Sequence, residues 1–343
     1  GREVLETALG ALRHRGPDGT DLLEIGGSGL RCGLAHTRLA ILDLSSNGRQ
    51  PMSTSNGRFT IVYNGEVYNF RELRAELESL GAHFRSSGDT EVVLEAYARW
   101  GAEAFRRFRG MFAVAIWDRE LEKLVLVRDQ LGIKPLYFSS GPGYLAFASE
   151  LRTLLATGFS AKTISRRAIA AYLATGSVSE PDSIVSDIAP LGPGTIVEYT
   201  RGAVRSSTYW QIPVVAPARM SMNEAIDDVR NVLAEAIRLR LVADVPLGVF
   251  LSSGIDSTAI AALAAQASKQ PIRTFTVTFD EESFNEGETA AQTARWLGSD
   301  HCEVRLLGHE TAQRIDDFID AWARNIGVRR HAPASRSATP GLR

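Results

Sequence analysis

Apolar positions follow two different rhythms along this chain. Up to about residue 150 they come in short β-branched and aromatic runs. Phe59 to Tyr63 leads into Asn64-Gly65, a dipeptide that predicts a hairpin turn. Met111 to Trp117 and Lys123 to Val127 flank the polar Asp118-Arg119-Glu120, and Leu136 to Phe138 and Tyr144 to Phe147 flank Gly141-Pro142-Gly143. Two helical stripes interrupt these strands. One covers 70–80, with Leu73, Leu77 and Leu80 on one face and Gly81 as its stop; the other covers 90–100 and ends before Gly101. Antiparallel strands with segregated helices predict a layered α+β domain.

Residues 151–220 are transitional: a helix over 166–173 capped by Ser165 and followed by Gly176, the turn-rich 190–194, a strand over 195–199 and an irregular stretch over 211–219. The rhythm then changes. Ser221-Met222-Asn223-Glu224 has the spacing of a capping box ahead of the stripe Ile226, Val229, Leu233, Ile237. A strand over 247–251, a small-residue loop over 252–257, a helix over 258–267, a strand over 274–279, a helix over 288–297 and a strand over 301–304 predict a parallel α/β sheet.

Composition sharpens this picture. At roughly 150 residues per domain, 343 residues predict two domains, and 44% hydrophobic with 23% charged residues excludes a disordered or collagen-like chain. No run reaches the ~20 apolar residues of a membrane span, and Gly1-Arg2-Glu3-Val4 is not a signal peptide, so the expectation is a cytoplasmic protein with no membrane partner. The net charge of −2 gives no electrostatic pull toward nucleic acid. That balance hides an asymmetry: residues 323–343 carry five arginines and no acid, leaving 33 basic against 40 acidic side chains before them. The two cysteines, Cys32 and Cys302, are far apart, which argues against a disulfide framework or a cysteine-rich zinc site. Both read as strand packing, and neighbours such as His301 and Cys302 point to opposite faces of a strand.

The loop Ser252-Ser253-Gly254-Ile255-Asp256-Ser257 sits between a strand and a helix, where small residues and free helix N–H groups suit an anion. Asp256 is placed to hold Mg2+ against phosphate oxygens. The lysine of an ordinary P-loop is absent, so the loop fits gripping pyrophosphate, as in acyl-adenylate formation, rather than γ-phosphoryl transfer. In the first half, Arg38 suits a two-bond grip on an α-carboxylate, Glu66 and Asp89 suit an α-ammonium group, and the Asn64 amide with the Gly65 N–H suits an oxyanion hole. Singly, each of these is more often a turn former or surface charge. Together they describe an amino-acid pocket beside acyl-transfer machinery.

From about Ala11 to about Ala321 the chain resembles asparagine synthetase of the glutamine-hydrolysing type. The resemblance rests on His14-Arg15-Gly16-Pro17-Asp18-Gly19, Tyr63 to Phe70, Arg128 to Tyr137, Phe147 to Leu151 and the loop 252–257. It implies an α+β N-terminal-nucleophile glutaminase domain of αββα layers over residues 1–210. An incomplete α/β parallel-sheet ATP-pyrophosphatase domain would follow over 211–322, with a non-family tail over 323–343. It also implies that glutamine is hydrolysed in the first domain and that ammonia passes through a tunnel to the second, where aspartate is adenylated with Mg–ATP and amidated. Arg38, Ile41, Leu42, Asn64, Glu66 and Asp89 would bind glutamine, with Asn64 and Gly65 as the oxyanion hole. Leu251, Ser252, Ser253, Gly254, Ile255, Asp256, Ser257 and Val277 would bind ATP, and no further cofactor is implied. A homodimer is compatible with the resemblance.

Three departures qualify these implications. The family nucleophile is a cysteine at the mature N-terminus, and this sequence begins at Gly1, so the expectation is a chain lacking its first strand and unable to hydrolyse glutamine. Ser253 stands where the family has a glycine. Residues 323–343 replace the family's helical continuation, and a frameshift near codon 323 in a GC-rich gene accounts for such a stretch, given 34 Arg against 4 Lys. Two alternatives stand beside the leading reading. One is a related amidotransferase acting on another carboxylate, such as a polysaccharide sugar acid. The other is a non-catalytic fragment that binds glutamine or nucleotide.

Overall fold

The computed structural model describes residues 1–26, 29–215, 219–280 and 285–307. The stretch 323–343, its frameshift reading and the family-like 316–322 lie outside the described residues.

The chain opens with helix α1 (Arg2–Leu12) and the antiparallel pair β1 (Gly19–Ile25) and β2 (Cys32–Arg38). Strands β3 (Met52–Ser53) and β4 (Phe59–Val67) lead into helices α2 (Phe70–Ser79), α3 (Asp89–Trp100) and α4 (Ala104–Arg107). Next come β5 (Gly110–Asp118), β6 (Lys123–Arg128), β7 (Tyr137–Gly141), β8 (Tyr144–Ala148), α5 (Leu151–Ala156) and α6 (Arg166–Thr175). Strands β9 (Ala189–Pro190), β10 (Thr195–Thr200) and β11 (Ala203–Thr208) precede the long α7 (Met222–Arg240). The last elements alternate: β12 (Gly248–Phe250), α8 (Ile255–Ala267), β13 (Arg273–Phe279), α9 (Gly287–Leu297) and β14 (Asp300–Leu306).

Four layers follow from where these elements bury their apolar faces. A six-stranded antiparallel sheet runs β11-β10-β6-β5-β4-β3. One face, with Ile61, Val114 and Val127, buries Leu73 and Leu77 of α2 and Val92 and Val93 of α3. The other face, with Val62, Ala115 and Leu126, packs on Leu34 of β2 and Leu136. The β1-β2 pair and the β8-β7-β9 sheet form that second β layer, and α1 and α5 pack against each other outside it. This is the α+β, αββα arrangement. The parallel sheet β12-β13-β14 is a separate α/β unit whose core joins Ile237 of α7, Ala261 and Ala264 of α8, and Ala290 and Ala294 of α9.

Asn64-Gly65 is not a turn. Strand β4 runs straight through it, pairing Asn64 with Ala113 and Gly65 with Phe112. An Asn-Gly turn forms only when its flanking runs pair with each other, and here both pair with β5. Glycine serves close approach instead: a Cβ on Gly65 would lie 2.3 Å from the Met111 carbonyl oxygen.

Other departures have equally local causes. Helix α8 starts at Ile255 rather than residue 258, because Gly254 is still extended (φ −74°, ψ 150°) and caps it. The Ser221–Glu224 capping box forms in both directions, yet on the stripe below it only Ile237 is buried. Ile226, Val229 and Leu233 are exposed, having no covering element among the described residues. Leu80 at the end of α2 is likewise exposed. Cys302 lies in β14 as expected but is exposed rather than packed. Cys32 is buried, and burial pushes its thiol up to about 12. Helices α1 and α5 and the wholly exposed β11 were not foreseen.

Candidate active site

A cleft of about 230 Å3 opens where β2 and β4 meet the N-terminus of α3. It gathers every residue assigned above to an amino-acid pocket: Arg38 at the end of β2, Ile41 and Leu42 from the loop after it, Asn64, Gly65 and Glu66 from β4, and Asp89 as the first residue of α3. It also brings in Arg15, His36, Gln50 and Lys134, to which the sequence reading gave no role. A larger groove of about 830 Å3 adjoins it and shares His36, Tyr63 and Asn64, but its walls are mostly apolar residues of α1, β2, β5 and β8. Polar chemistry concentrates in the smaller cleft.

Asn64 is fixed by its neighbours. Beyond the short β3, the side chain of Gln50 takes over strand pairing at Tyr63, its Oε1 accepting from the Tyr63 N–H at 2.6 Å and its Nε2 donating to the carbonyl at 3.2 Å. His36 Nε2 donates to the same carbonyl at 3.2 Å. Burial drives the His36 imidazole down to about 4, with the Arg38 charge acting in the same direction, so it is neutral at pH 7. Asn64 Nδ2, by contrast, is buried with no hydrogen-bond partner among the described residues. An orphaned buried donor carries a cost of about 1–3 kcal/mol. A ligand oxygen in the cleft would relieve it.

The carboxylates provide the opposite pole. Asp89 is buried at the head of α3, and its Oδ2 accepts from the Tyr63 hydroxyl at 2.7 Å and the Val67 N–H at 2.9 Å. Burial raises its pKa against those hydrogen bonds. Glu66 is pushed up to about 7 by burial and then by the Asp89 charge, while Lys134 and Arg240 pull it back. Burial lowers Lys134, helped by the Arg15 charge. Burial holds both acids above their ordinary range, and the Asp89 charge adds to it at Glu66, an arrangement whose chemistry suits a cation.

Arg38 lines the cleft while bonding the loop that follows β2. Its Nη1 donates to the Ser45 carbonyl at 2.9 Å, and its Nη2 to the carbonyls of Leu42 and Asp43. The guanidinium shapes the loop that carries Ile41 and Leu42; a two-bond grip on a ligand carboxylate would require exchanging those bonds.

Buried charges position two further walls. Asp129 accepts N–H bonds from Phe112, Leu131, Ile133 and Lys134, folding the 128–137 segment so that Lys134 reaches the cleft. Glu150 takes His14 at 2.8 Å, Arg15 at 3.1 Å and Arg152 at 2.7 Å, anchoring the turn that presents Arg15.

In the α/β unit, the loop 252–257 closes on itself. Ser252 Oγ lies 2.8 Å from Ser257 Oγ and accepts from the Gly254 N–H, and Ser257 Oγ accepts from the Ser252 N–H. Ile255, Asp256 and Ser257 form the first turn of α8, whose N–H groups have no partner within the helix. The Ser253 N–H donates to the Glu286 carboxylate at 3.2 Å, so an internal anion already sits at the loop. The Leu251 side chain is buried in the core, which leaves only its backbone for a ligand, and its N–H donates to Phe275 of the neighbouring β13, the strand that carries Val277. Asp256 is exposed, and no group of three or more His, Cys, Asp or Glu suited to a metal occurs among the described residues.

A layered αββα domain with an acid-lined, donor-bearing cleft, followed by a parallel α/β unit with a strand–loop–helix turn, defines the class of a glutamine amidotransferase joined to a second domain. Residues 1–210 match the family model for the glutamine amidotransferase domain, and residues 228–337 match that for asparagine synthase. The chain belongs to the asparagine synthetase family.

Among curated relatives it is 34% identical over 320 residues to asparagine synthetase [glutamine-hydrolyzing] 1 of Bacillus subtilis, covering 92% of this chain and 49% of that one. It is 37% identical over 323 residues to a putative asparagine synthetase of Mycobacterium tuberculosis (90% and 49%), and 32% identical over 336 residues to the amidase chyE of Penicillium rubens (92% and 48%). The chain thus spans about half the length of these relatives. Among solved structures, glutamine phosphoribosylpyrophosphate amidotransferase of B. subtilis aligns at TM-score 0.47 and 14% identity, over 89% of this chain and 78% of that one.

Proposed function

We propose that the first-domain cleft binds L-glutamine and that the loop 252–257 binds the phosphates of Mg–ATP, the two sites of an ATP-dependent amidation. Glutamine sits with its α-ammonium group between Glu66 and Asp89 and its side-chain carbonyl oxygen on Asn64 Nδ2 and the Gly65 N–H. Arg38 supports that end by holding the Ile41–Leu42 wall. When a nucleophile attacks the amide carbon, negative charge develops on that oxygen, where a preorganised donor stabilises it. The observation that carries the reading is that Asn64, whose buried Nδ2 has no hydrogen-bond partner among the described residues, lines the same cleft as Glu66 and Asp89.

At the second site the α8 N-terminus and the Ser252 and Ser257 hydroxyls would hold pyrophosphate oxygens, and Asp256 would help hold the Mg2+ that accompanies ATP. The carboxylate acceptor attacks the α-phosphorus, releasing pyrophosphate. Ammonia then displaces AMP from the acyl-adenylate to give the amide. Aspartate is the acceptor that the family suggests.

Neither thiol of this sequence serves the glutaminase step. Cys32 is buried with a pKa near 12, and Cys302 lies in the other sheet. The sequence as given is therefore expected to bind glutamine without hydrolysing it. Calorimetry with glutamine and with Mg–ATP separately, alongside an ammonia assay, tests this: binding without ammonia release agrees with it, and ammonia release contradicts the statement about the nucleophile.

A further inference from the structure

The wall of the cleft formed by residues 41–45 is held from the other domain. The Asp244 N–H donates to the Ile41 carbonyl at 3.0 Å, and the Asp43 N–H donates to Asp244 Oδ2 at 2.8 Å. The two bonds run in opposite directions between segments far apart in sequence, so they fix both the height and the tilt of the loop.

Asp43 is an unusual residue to hold in this way. It is 5% exposed and left-handed, at φ +51°, a conformation that a non-glycine residue keeps only where its surroundings over-determine it. Those surroundings are present. Its carboxylate accepts from the Ser45 N–H, the Ser45 hydroxyl and the Ser87 N–H, and its carbonyl accepts from Arg38. Ser87 lies two residues before Asp89, so Asp43 ties the Arg38–Ile41–Leu42 wall to the acidic wall. Asp244 completes that set from outside, and it lies four residues before β12, the strand that ends at the 252–257 loop.

We propose that Asp244 is a positioning residue for the glutamine cleft, contributed by the synthase domain, so that the cleft has its binding geometry only while the two domains are docked. The inference rests on the reading of the cleft as a glutamine site. Three other contacts dock the same helix end: Arg240 over the Tyr68 ring at 4.3 Å, Val242 against the first core, and Arg109 with Glu235 at 2.7 Å. None of them touches the 41–45 loop, which makes Glu235 a suitable control.

The experiment uses the full chain and its Asp244→Ala, Asp244→Asn and Glu235→Gln variants, with amide hydrogen exchange read at Asp43 and Ser87 and glutamine affinity read by calorimetry. In Asp244→Ala, exchange at both amides is expected to rise about tenfold and glutamine to bind roughly three- to tenfold more weakly, the scale of losing one ordinary hydrogen bond. Asp244→Asn keeps an acceptor oxygen and is expected to recover most of both readouts; Glu235→Gln is expected to change neither. Unchanged exchange and affinity in Asp244→Ala would overturn the proposal. So would an equal loss in Glu235→Gln, which would mean that general loosening of the interface is responsible. If the wild-type chain binds no glutamine, the reading of the cleft fails, and exchange at Asp43 and Ser87 still decides whether Asp244 sets the loop.

Discussion

The Tyr63 hydroxyl donates to Asp89 across 2.7 Å at the floor of the cleft, joining the strand that carries Asn64 to the helix that carries the buried acid. Both groups lie out of water, and the phenol's own pKa is driven well up by burial and then by the Asp89 charge. Tyr63→Phe removes one of the two donors on Asp89 Oδ2 and leaves the carboxylate under-satisfied. Urea denaturation should show a loss of about 1–3 kcal/mol at pH 7. A loss below 0.5 kcal/mol would mean that the contact is incidental.

Glu66 gives the site a pH dependence. Its folded-state pKa, about 7, lies above its ordinary value of 4.5, so the stability associated with it is fully present below about 4.5 and is lost as pH rises through 7. Binding an ammonium group has the opposite requirement, since Glu66 must be ionised. Glutamine affinity should therefore climb between pH 6 and 8, with proton release on binding near neutrality, detectable as a buffer-dependent heat. Glu66→Gln should flatten both curves; an unchanged affinity profile would remove Glu66 from the ammonium site.

His36 contributes in a different window. Its folded-state pKa, about 4, is depressed below the ordinary 6.5, so its contribution to stability is present above 6.5 and is lost as pH falls through 4. Thermal melts across pH 4–7 should show acid lability that His36→Gln, which keeps an N–H for the Tyr63 carbonyl, diminishes.

At the loop 252–257, Glu286 occupies the Ser253 N–H with negative charge. Glu286→Gln keeps the acceptor and removes the charge, so Mg–ATP affinity should rise about two- to fivefold, the scale of an exposed charge interaction. A fall would show that the carboxylate assists binding rather than competing with the phosphates.

Much of this was legible in the sequence where local pattern and tertiary outcome agree. The strands β5 to β8, the cap at Ser221 and the alternation from β12 to β14 follow from apolar period and turn residues alone. The cleft residues were legible as chemistry, since Asn64, Glu66 and Asp89 carry complementary groups. What local pattern could not supply was partnership. Asn64-Gly65 has the signature of a turn and sits mid-strand, because β5 rather than its own flanks supplies the pairing. Gln50 gave no signal: its role as a substitute strand depends on where β3 stops. Lys134 stood inside a family-like segment, yet only the Asp129 hydrogen bonds aim it at the cleft. The three backbone carbonyls that Arg38 meets gave no local signal either, because they depend on how the loop 42–45 folds back. The α7 stripe predicted burial that depends on elements outside the described residues.

The central claim is that Asn64 and the Glu66–Asp89 pair form one amino-acid site. Titration calorimetry of L-glutamine at pH 8 into the wild-type chain and into Asn64→Ala and Glu66→Gln variants of equal melting temperature tests it most directly. The account predicts saturable one-to-one binding to the wild type, weakened about tenfold by either substitution. Absence of binding to the wild type, or binding indifferent to both substitutions, would contradict it.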